Sequence, residues 1–167
     1  MKIVPFRGAL GSAVMMLCAS MLFASARPAR AELEPYAVGQ WQSVLAGAQG
    51  KPLIVHFWGF SCPPCVEELP AWAGFVRDHP ALRTVFIEVD PVPEDMTRKA
   101  LADARLLGAD NRANVANFDE YFRYEIDSQW FGELPITLLI DARGRVSKLR
   151  GTADFKAISR WAAEGGR

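Results

Sequence analysis

The chain has 167 residues, half of them hydrophobic, with 19 basic and 19 acidic side chains, two histidines and three cysteines. That length and apolar content suit one domain around a single core. A net charge of zero gives no sign of the basic surface that nucleic acid or an anionic membrane face would require.

Lys2 and Arg7 begin the chain, Gly8 to Ala26 is a 19-residue stretch without charge, and Ala29-Arg30-Ala31 offers small residues of the kind a signal peptidase reads. Residues 1–31 are therefore expected to be a signal peptide cleaved after Ala31, leaving a domain over 32–167. An uncleaved membrane anchor is the rival, because the apolar stretch approaches spanning length. Its Gly and Ser content favours the signal peptide. Cys18, Lys2, Arg7, Arg27 and Arg30 fall in this segment, so the domain carries 15 basic against 19 acidic residues, a net charge of about −4. Only Cys62 and Cys65 remain as cysteines. An export signal followed by one close cysteine pair points to redox chemistry outside the reducing cytosol, in a periplasmic compartment.

Within the domain, Val38 to Ala48 predicts a short helix with Val38, Trp41, Val44 and Leu45 on one face, broken by Gly50-Lys51-Pro52. Leu53 to Trp58 is an almost unbroken apolar run, as expected of a strand covered on both faces. After Cys62-Pro63-Pro64-Cys65, the residues Val66, Leu69, Trp72, Phe75 and Val76 recur at helical spacing to about Asp78, where His79-Pro80 stops the helix. Thr84 to Val89 is the second strand, Pro91-Val92-Pro93 a turn, and Glu94 to Leu107 a helix with Met96, Leu101, Ala104 and Leu106. Gly108 to Asn117 is polar and expected to be irregular. Phe118 to Ile126 predicts a short helix and Leu134 to Ile140 a third strand. Asp141-Ala142-Arg143-Gly144 is a hairpin turn into Arg145 to Arg150, and Ala153 to Ala163 closes the chain as a helix. This order predicts an α/β fold whose sheet has a parallel and an antiparallel half, with helices on both faces.

The cysteine pair carries the chemistry. A cysteine just before a helix has unpaired backbone N–H groups and the positive dipole end nearby, and both favour thiolate over thiol. Residues three apart at a helix start are near enough for a disulfide, so the arrangement makes one activated nucleophile and one resolving partner. The same spacing is half a zinc site. Zinc needs a second ligand pair, however, and the chain offers only His56 within a strand, His79 at a helix end and the distant Cys18. A purely structural disulfide is the blander alternative, although a bridge over so short a loop stabilises little. No metal or cofactor is expected.

Phe57-Trp-Gly-Phe-Ser-Cys-Pro-Pro-Cys-Val-Glu-Glu-Leu-Pro70 resembles the active site of exported thioredoxin-fold oxidoreductases of the TlpA/ResA type. Gly132-Glu-Leu-Pro-Ile-Thr-Leu-Leu-Ile-Asp141 is similar to that family's cis-proline segment, and Arg143-Gly-Arg-Val146 with Gly151 to its terminal hairpin. The resemblance covers nearly all of Val38 to Ala163. It implies a thioredoxin-like three-layer sandwich, with a mixed sheet of four to five strands between helices. It also implies that Cys62 is the exposed attacking cysteine and Cys65 the buried resolving one. Pro135 would be a cis-proline facing the disulfide, turning the Leu134 backbone toward an incoming chain that pairs as an extra strand. An ordinary trans proline at a strand start is the alternative.

Trp58 is expected beside the disulfide or in the core. Ser61 stands where the family usually has Trp, which removes a flat apolar surface beside the sulfur, and Ile136 stands where threonine is common. His56 falls where relatives often carry a buried Asp or Asn. A neutral imidazole there is suited to taking the Cys65 proton during resolution; a core histidine satisfied by a backbone carbonyl is the equal alternative. Glu67 and Glu68 read as a solvated helix face, and Glu88 as an outward-facing edge position rather than a second proton relay. Trp130 and Phe131 read as an apolar lip for substrate or as core.

Thiol–disulfide exchange is the expected reaction, and direction depends on how well the Cys62 thiolate is stabilised. Pro63 and Pro64 have no N–H, which leaves the N–H groups of Cys65 and Val66 for that task. Fewer donors mean a less stabilised dithiol and a more reducing protein. Potentials across this fold span roughly 150 mV, about 7 kcal/mol for two electrons, so small changes here decide direction. The expected function is reduction of disulfides in exported proteins by a monomer. The resemblance implies cytochrome c haem-site or copper-site cysteines as substrates and a membrane electron donor as the recharging partner. A Cu(I)-binding chaperone using the same pair is the alternative from another class, though the chain lacks an added histidine or Met-rich segment for it.

Overall fold

The structure, a computed structural model, describes residue 1, residues 33–48 and residues 50–165. Met1 apart, the expected signal peptide or anchor lies outside the described residues. Among the described residues no helix is long and apolar enough to cross a membrane.

The elements run β1 (Glu34–Tyr36), α1 (Trp41–Ala46), β2 (Leu53–Trp58), α2 (Pro63–Asp78), β3 (Arg83–Glu88), α3 (Glu94–Asp103), β4 (Asp110–Asn114), α4 (Glu120–Ile126), β5 (Ile136–Ile140), β6 (Val146–Arg150) and α5 (Phe155–Ala163). They build a six-stranded sheet in the order β1-β4-β3-β2-β5-β6. The β1–β4, β4–β3 and β3–β2 pairs are parallel, whereas β2–β5 and β5–β6 are antiparallel. The central strand β2 is buried at every position, which is why it lacks polar–apolar alternation.

Its side chains still alternate between two cores. Leu53, Val55 and Phe57 join Trp41 and Val44 of α1 and Phe122 of α4 on one face. Ile54 and Trp58 join Leu69, Trp72 and Phe75 of α2, Leu101 of α3 and Ile158 of α5 on the other. Fully burying each such large apolar side chain contributes about 1.5–3 kcal/mol. The result is the three-layer architecture expected.

Two strands were not expected. The segment 108–117, predicted irregular, contains β4, and β1 adds an edge strand beyond it, which makes six strands rather than four to five. The polar residues of β4 are accommodated by specific partners. Asn111 Nδ2 donates to the carbonyls of Leu106 and Ala109, at 2.9 and 3.0 Å, and Asn114 Nδ2 to that of Val89 at 2.9 Å. Arg112 pairs with Glu34 and Asp110. Helix α3 ends at Asp103, short of the predicted Leu107. Arg105 takes a φ of 61°, and the Leu106 N–H reaches back to the Leu101 carbonyl at 2.8 Å, closing the helix.

Candidate active site

Strand β2 delivers the chain into a loop, residues 59–62, and the loop into α2. Cys62 is the residue before the helix, with extended backbone, and Pro63 occupies the first helical position, where its missing N–H costs nothing. Cys62 and Cys65 form a disulfide with their Cα atoms 5.3 Å apart. In this oxidised state Cys62 keeps 8% of its surface exposed and Cys65 none, so the cysteine expected to be exposed is itself buried. The Cys65 N–H donates to the Cys62 carbonyl at 3.0 Å. That donor, expected to serve the sulfur, is occupied by the turn itself.

Trp58 is buried, packs in the cluster that holds both cysteines, and meets Phe60 ring to ring at 5.3 Å. The Leu134–Pro135 peptide bond is cis. Phe57 pairs with Ile136 across β2 and β5, so Pro135 lies at the sheet end from which the cysteine loop departs. The Pro135 carbonyl accepts the Gly151 N–H at 2.9 Å, and half-buried Leu134 packs against both cores.

Two residues before Trp58 in β2 stands a buried polar group. His56, on the same face of β2 as Trp58, is fully buried between Trp72 and Phe86, at ring distances of 4.7 and 5.9 Å. Its Nδ1 is 3.0 Å from Thr137 Oγ1, and its Nε2 is 3.2 Å from Glu68 Oε1, close but not aligned as a full hydrogen bond. Burial pushes the His56 pKa down, against the opposing pull of Glu68, and so favours the neutral imidazole. The partners of His56 are thus side chains, rather than a backbone carbonyl.

Glu68 corrects the expectation of a solvated face: it is buried, and its Oε2 accepts the Ala153 N–H at 2.8 Å. Glu67 does face solvent. The signal for Glu68 was available, because Cys65, Leu69 and Trp72 mark the inward stripe of α2 and residue 68 falls on it.

Glu88 is a second correction. It pairs with Trp58 in the β2–β3 register, inside the sheet, and is 1% exposed. Its Oε1 accepts the Asp90 N–H at 2.7 Å. Burial pushes its pKa up to about 8 despite that bond and the nearness of Thr97, whose hydroxyl does not reach hydrogen-bond geometry. Asp90, which sequence reasoning passed over, accepts the Ser61 N–H at 2.7 Å and the Ser61 hydroxyl at 3.0 Å. Trp130 belongs to the core, with its ring 4.9 Å from Phe57 and its indole N–H on the Glu133 carbonyl at 3.0 Å. Phe131 is 85% exposed.

No protein-family model matches the chain. It is 26% identical over 126 residues to sporulation thiol-disulfide oxidoreductase A of Bacillus subtilis, covering 70% of this chain and 69% of that protein. To thiol-disulfide oxidoreductase ResA of Halalkalibacterium halodurans it is 27% identical over 105 residues, 60% of this chain and 54% of that one, so the match spans about half of ResA's length. The fold is similar to a crystal structure of a secreted Mycobacterium tuberculosis disulfide oxidoreductase homologous to Escherichia coli DsbE. The TM-score is 0.56 at 22% identity, over 71% of this chain and 85% of that one. This chain is a thioredoxin-fold thiol–disulfide oxidoreductase.

The oxidoreductase takes cysteine-containing proteins as its partners. Among its described residues no group of three or more His, Cys, Asp or Glu side chains is gathered to hold a metal ion. The Cys62–Cys65 disulfide joins two buried cysteines in the same core cluster as Trp58 and Trp72.

Proposed function

We propose that the oxidoreductase works as a reductase of disulfides in exported proteins. Cys62 attacks as thiolate on one sulfur of the substrate disulfide, and the other substrate sulfur leaves as thiolate. Cys65 then loses its proton and attacks Cys62 Sγ, which re-forms the Cys62–Cys65 disulfide and releases the second substrate thiolate. Two electrons pass from the protein to the substrate. His56, neutral through burial, is the acceptor we assign to the Cys65 proton, its ring oriented by Thr137. The docking surface is the Leu134–Pro135 segment with Ser61 at its border.

The observation that carries the reducing direction is the donor-poor turn. Pro63 and Pro64 offer no N–H, and the Cys65 N–H is engaged by the Cys62 carbonyl. A thiolate with few donors is poorly stabilised, which favours the disulfide form of this protein and hence electron donation. Export is supported by the composition of residues 1–31 and by the secreted character of the Mycobacterium tuberculosis protein. In an oxidising compartment the reductase needs recharging, and a membrane electron donor fits that need. Cytochrome c haem-site and copper-site cysteines are the substrate classes to be tested.

Cys65→Ser tests the reading, since it removes the resolving sulfur and freezes the mixed disulfide at Cys62. Covalent adducts with exported proteins are expected, and their absence sinks the assignment. Pro64→His, with a restored donor, is expected to raise the reduction potential; an unmoved potential would remove the turn as the controlling element.

A further inference from the structure

The side chain that holds the cysteine loop in place is an acid. Asp90 follows β3 and accepts two hydrogen bonds from Ser61, the residue immediately before Cys62, through the backbone N–H at 2.7 Å and the hydroxyl at 3.0 Å. Its approach to the loop is close enough to constrain a third residue. A Cβ added to Gly59 would lie 2.8 Å from Asp90 Oδ2, so the loop carries glycine where the carboxylate passes. Asp90 is itself anchored, because its N–H donates to Glu88 Oε1 at 2.7 Å in the core. Serine at 61 supplies the hydroxyl of the second bond, which the tryptophan usual in proteins this chain resembles would not offer.

We propose that Asp90 is a positioning residue that, through Ser61, holds a negative charge beside Cys62 and thereby keeps its thiol reluctant to ionise and the protein reducing. The inference rests on the exchange reading above and deepens it. A like charge disfavours thiolate, and a half-buried carboxylate is less screened than one in open solvent. Other titratable groups near the pair are common to the wild type and the variants. Glu88, raised to about 8 by burial, is largely neutral at neutral pH. Glu68 is held by the Ala153 N–H beside His56, Glu133 is paired with Arg150, and Glu67 points to solvent; all three are the same in wild type and variants and drop out of the comparison.

The test uses the full oxidoreductase and two variants. Asp90→Asn keeps the size and an acceptor oxygen but removes the charge. Ser61→Ala keeps the charge and the backbone bond but removes the hydroxyl that shares it. The readouts are the pH midpoint of Cys62 alkylation in the reduced protein and the equilibrium constant with glutathione. Asp90→Asn is expected to lower the midpoint by about half a unit to one unit. It should also move the glutathione equilibrium about threefold to tenfold toward the dithiol, tenfold corresponding to about 30 mV. Ser61→Ala is expected to leave both unchanged or to shift them the opposite way, and this arm stands even if Asp90→Asn does not fold. An unmoved midpoint in Asp90→Asn overturns the proposal, and so does a downward shift in Ser61→Ala, which would mean that loop order, not charge, governs the thiol. If wild-type Cys62 neither alkylates nor equilibrates with glutathione, it is the exchange reading that fails instead.

Discussion

Thr137 stands directly opposite His56 in the β2–β5 register, and its hydroxyl lies 3.0 Å from the imidazole Nδ1. One cross-strand pair thus fixes the ring of this core histidine, with Nε2 turned toward Glu68.

That fixed, sealed imidazole gives a pH dependence with a definite sign. Burial lowers the folded-state pKa of His56, so below about pH 6.5 the unfolded chain binds the proton more readily than the folded one. The His56 contribution to stability should therefore fall as pH drops from about 6.5, by about 1.4 kcal/mol per unit until the folded-state pKa is reached. His56→Phe removes this component. Urea unfolding at several pH values between 7.5 and 5 should show the stability difference, wild type minus variant, shrinking as pH drops below about 6.5, with the Glu88 contribution common to both. Parallel slopes would mean that the buried ring is not the titrating group. The slope is the readout because leaving the Thr137 hydroxyl unpaired lowers the variant's stability at every pH.

What the sequence made legible was whatever hydrophobic pattern or motif determines. The bounds of β2, the start and end of α2, the hairpin and the closing helix follow from apolar runs, Pro and Gly, and the structure keeps them with shifts of a residue or two. What it hid were polar residues made internal by partners distant in sequence. Strand β4 reads as loop because Asn111 and Asn114 are buried only by virtue of carbonyls on neighbouring segments. Glu88 looked like an edge residue because pairing of β4 outside β3 cannot be seen in an isolated strand. At the site the cysteines announced themselves, whereas Asp90 is 29 residues from its partner Ser61 and carries no local mark.

Glu88 titrates in the opposite sense to His56. With a folded-state value of about 8, above the 4.5 of an ordinary glutamate, the folded protein holds a proton that the unfolded chain has released, so stability declines as pH rises through that window. Glu88→Gln keeps an oxygen for the Asp90 N–H and cannot ionise. It should match the wild type near the lower limit and exceed it by about 1–3 kcal/mol at the upper one. Thermal melts across the range decide this, and a constant difference would show that the carboxyl does not ionise on unfolding.

Gly59 and Asp90 should be coupled. Gly59→Ala drives a methyl to 2.8 Å from Asp90 Oδ2 and is expected to cost about 1–3 kcal/mol. Asp90→Ala in the same chain removes the obstructing oxygen and should recover most of that loss, giving a double-mutant coupling of about 1 kcal/mol or more. Additive losses would place the crowding elsewhere in the loop.

The segment before Pro135 should matter for substrate affinity more than for stability. Glu133 pairs with Arg150 of β6, its Oε2 accepts the Phe131 N–H at 3.2 Å, and Arg150 also reaches the Gln129 carbonyl. A further pair, Lys148 with Asp127, secures the beginning of the segment. Both partners of the Arg150 pair are substantially exposed, so Arg150→Ala should change folding stability by less than about 1 kcal/mol. If substrate docks at Leu134 as proposed, loosening the chain that leads into it should spoil the alignment of an incoming strand and raise KM for a peptide disulfide by about threefold to tenfold while kcat holds. Steady-state kinetics on a model disulfide separate the two effects. A fall in kcat at unchanged KM would mean that Arg150 acts on the sulfur chemistry and not on docking.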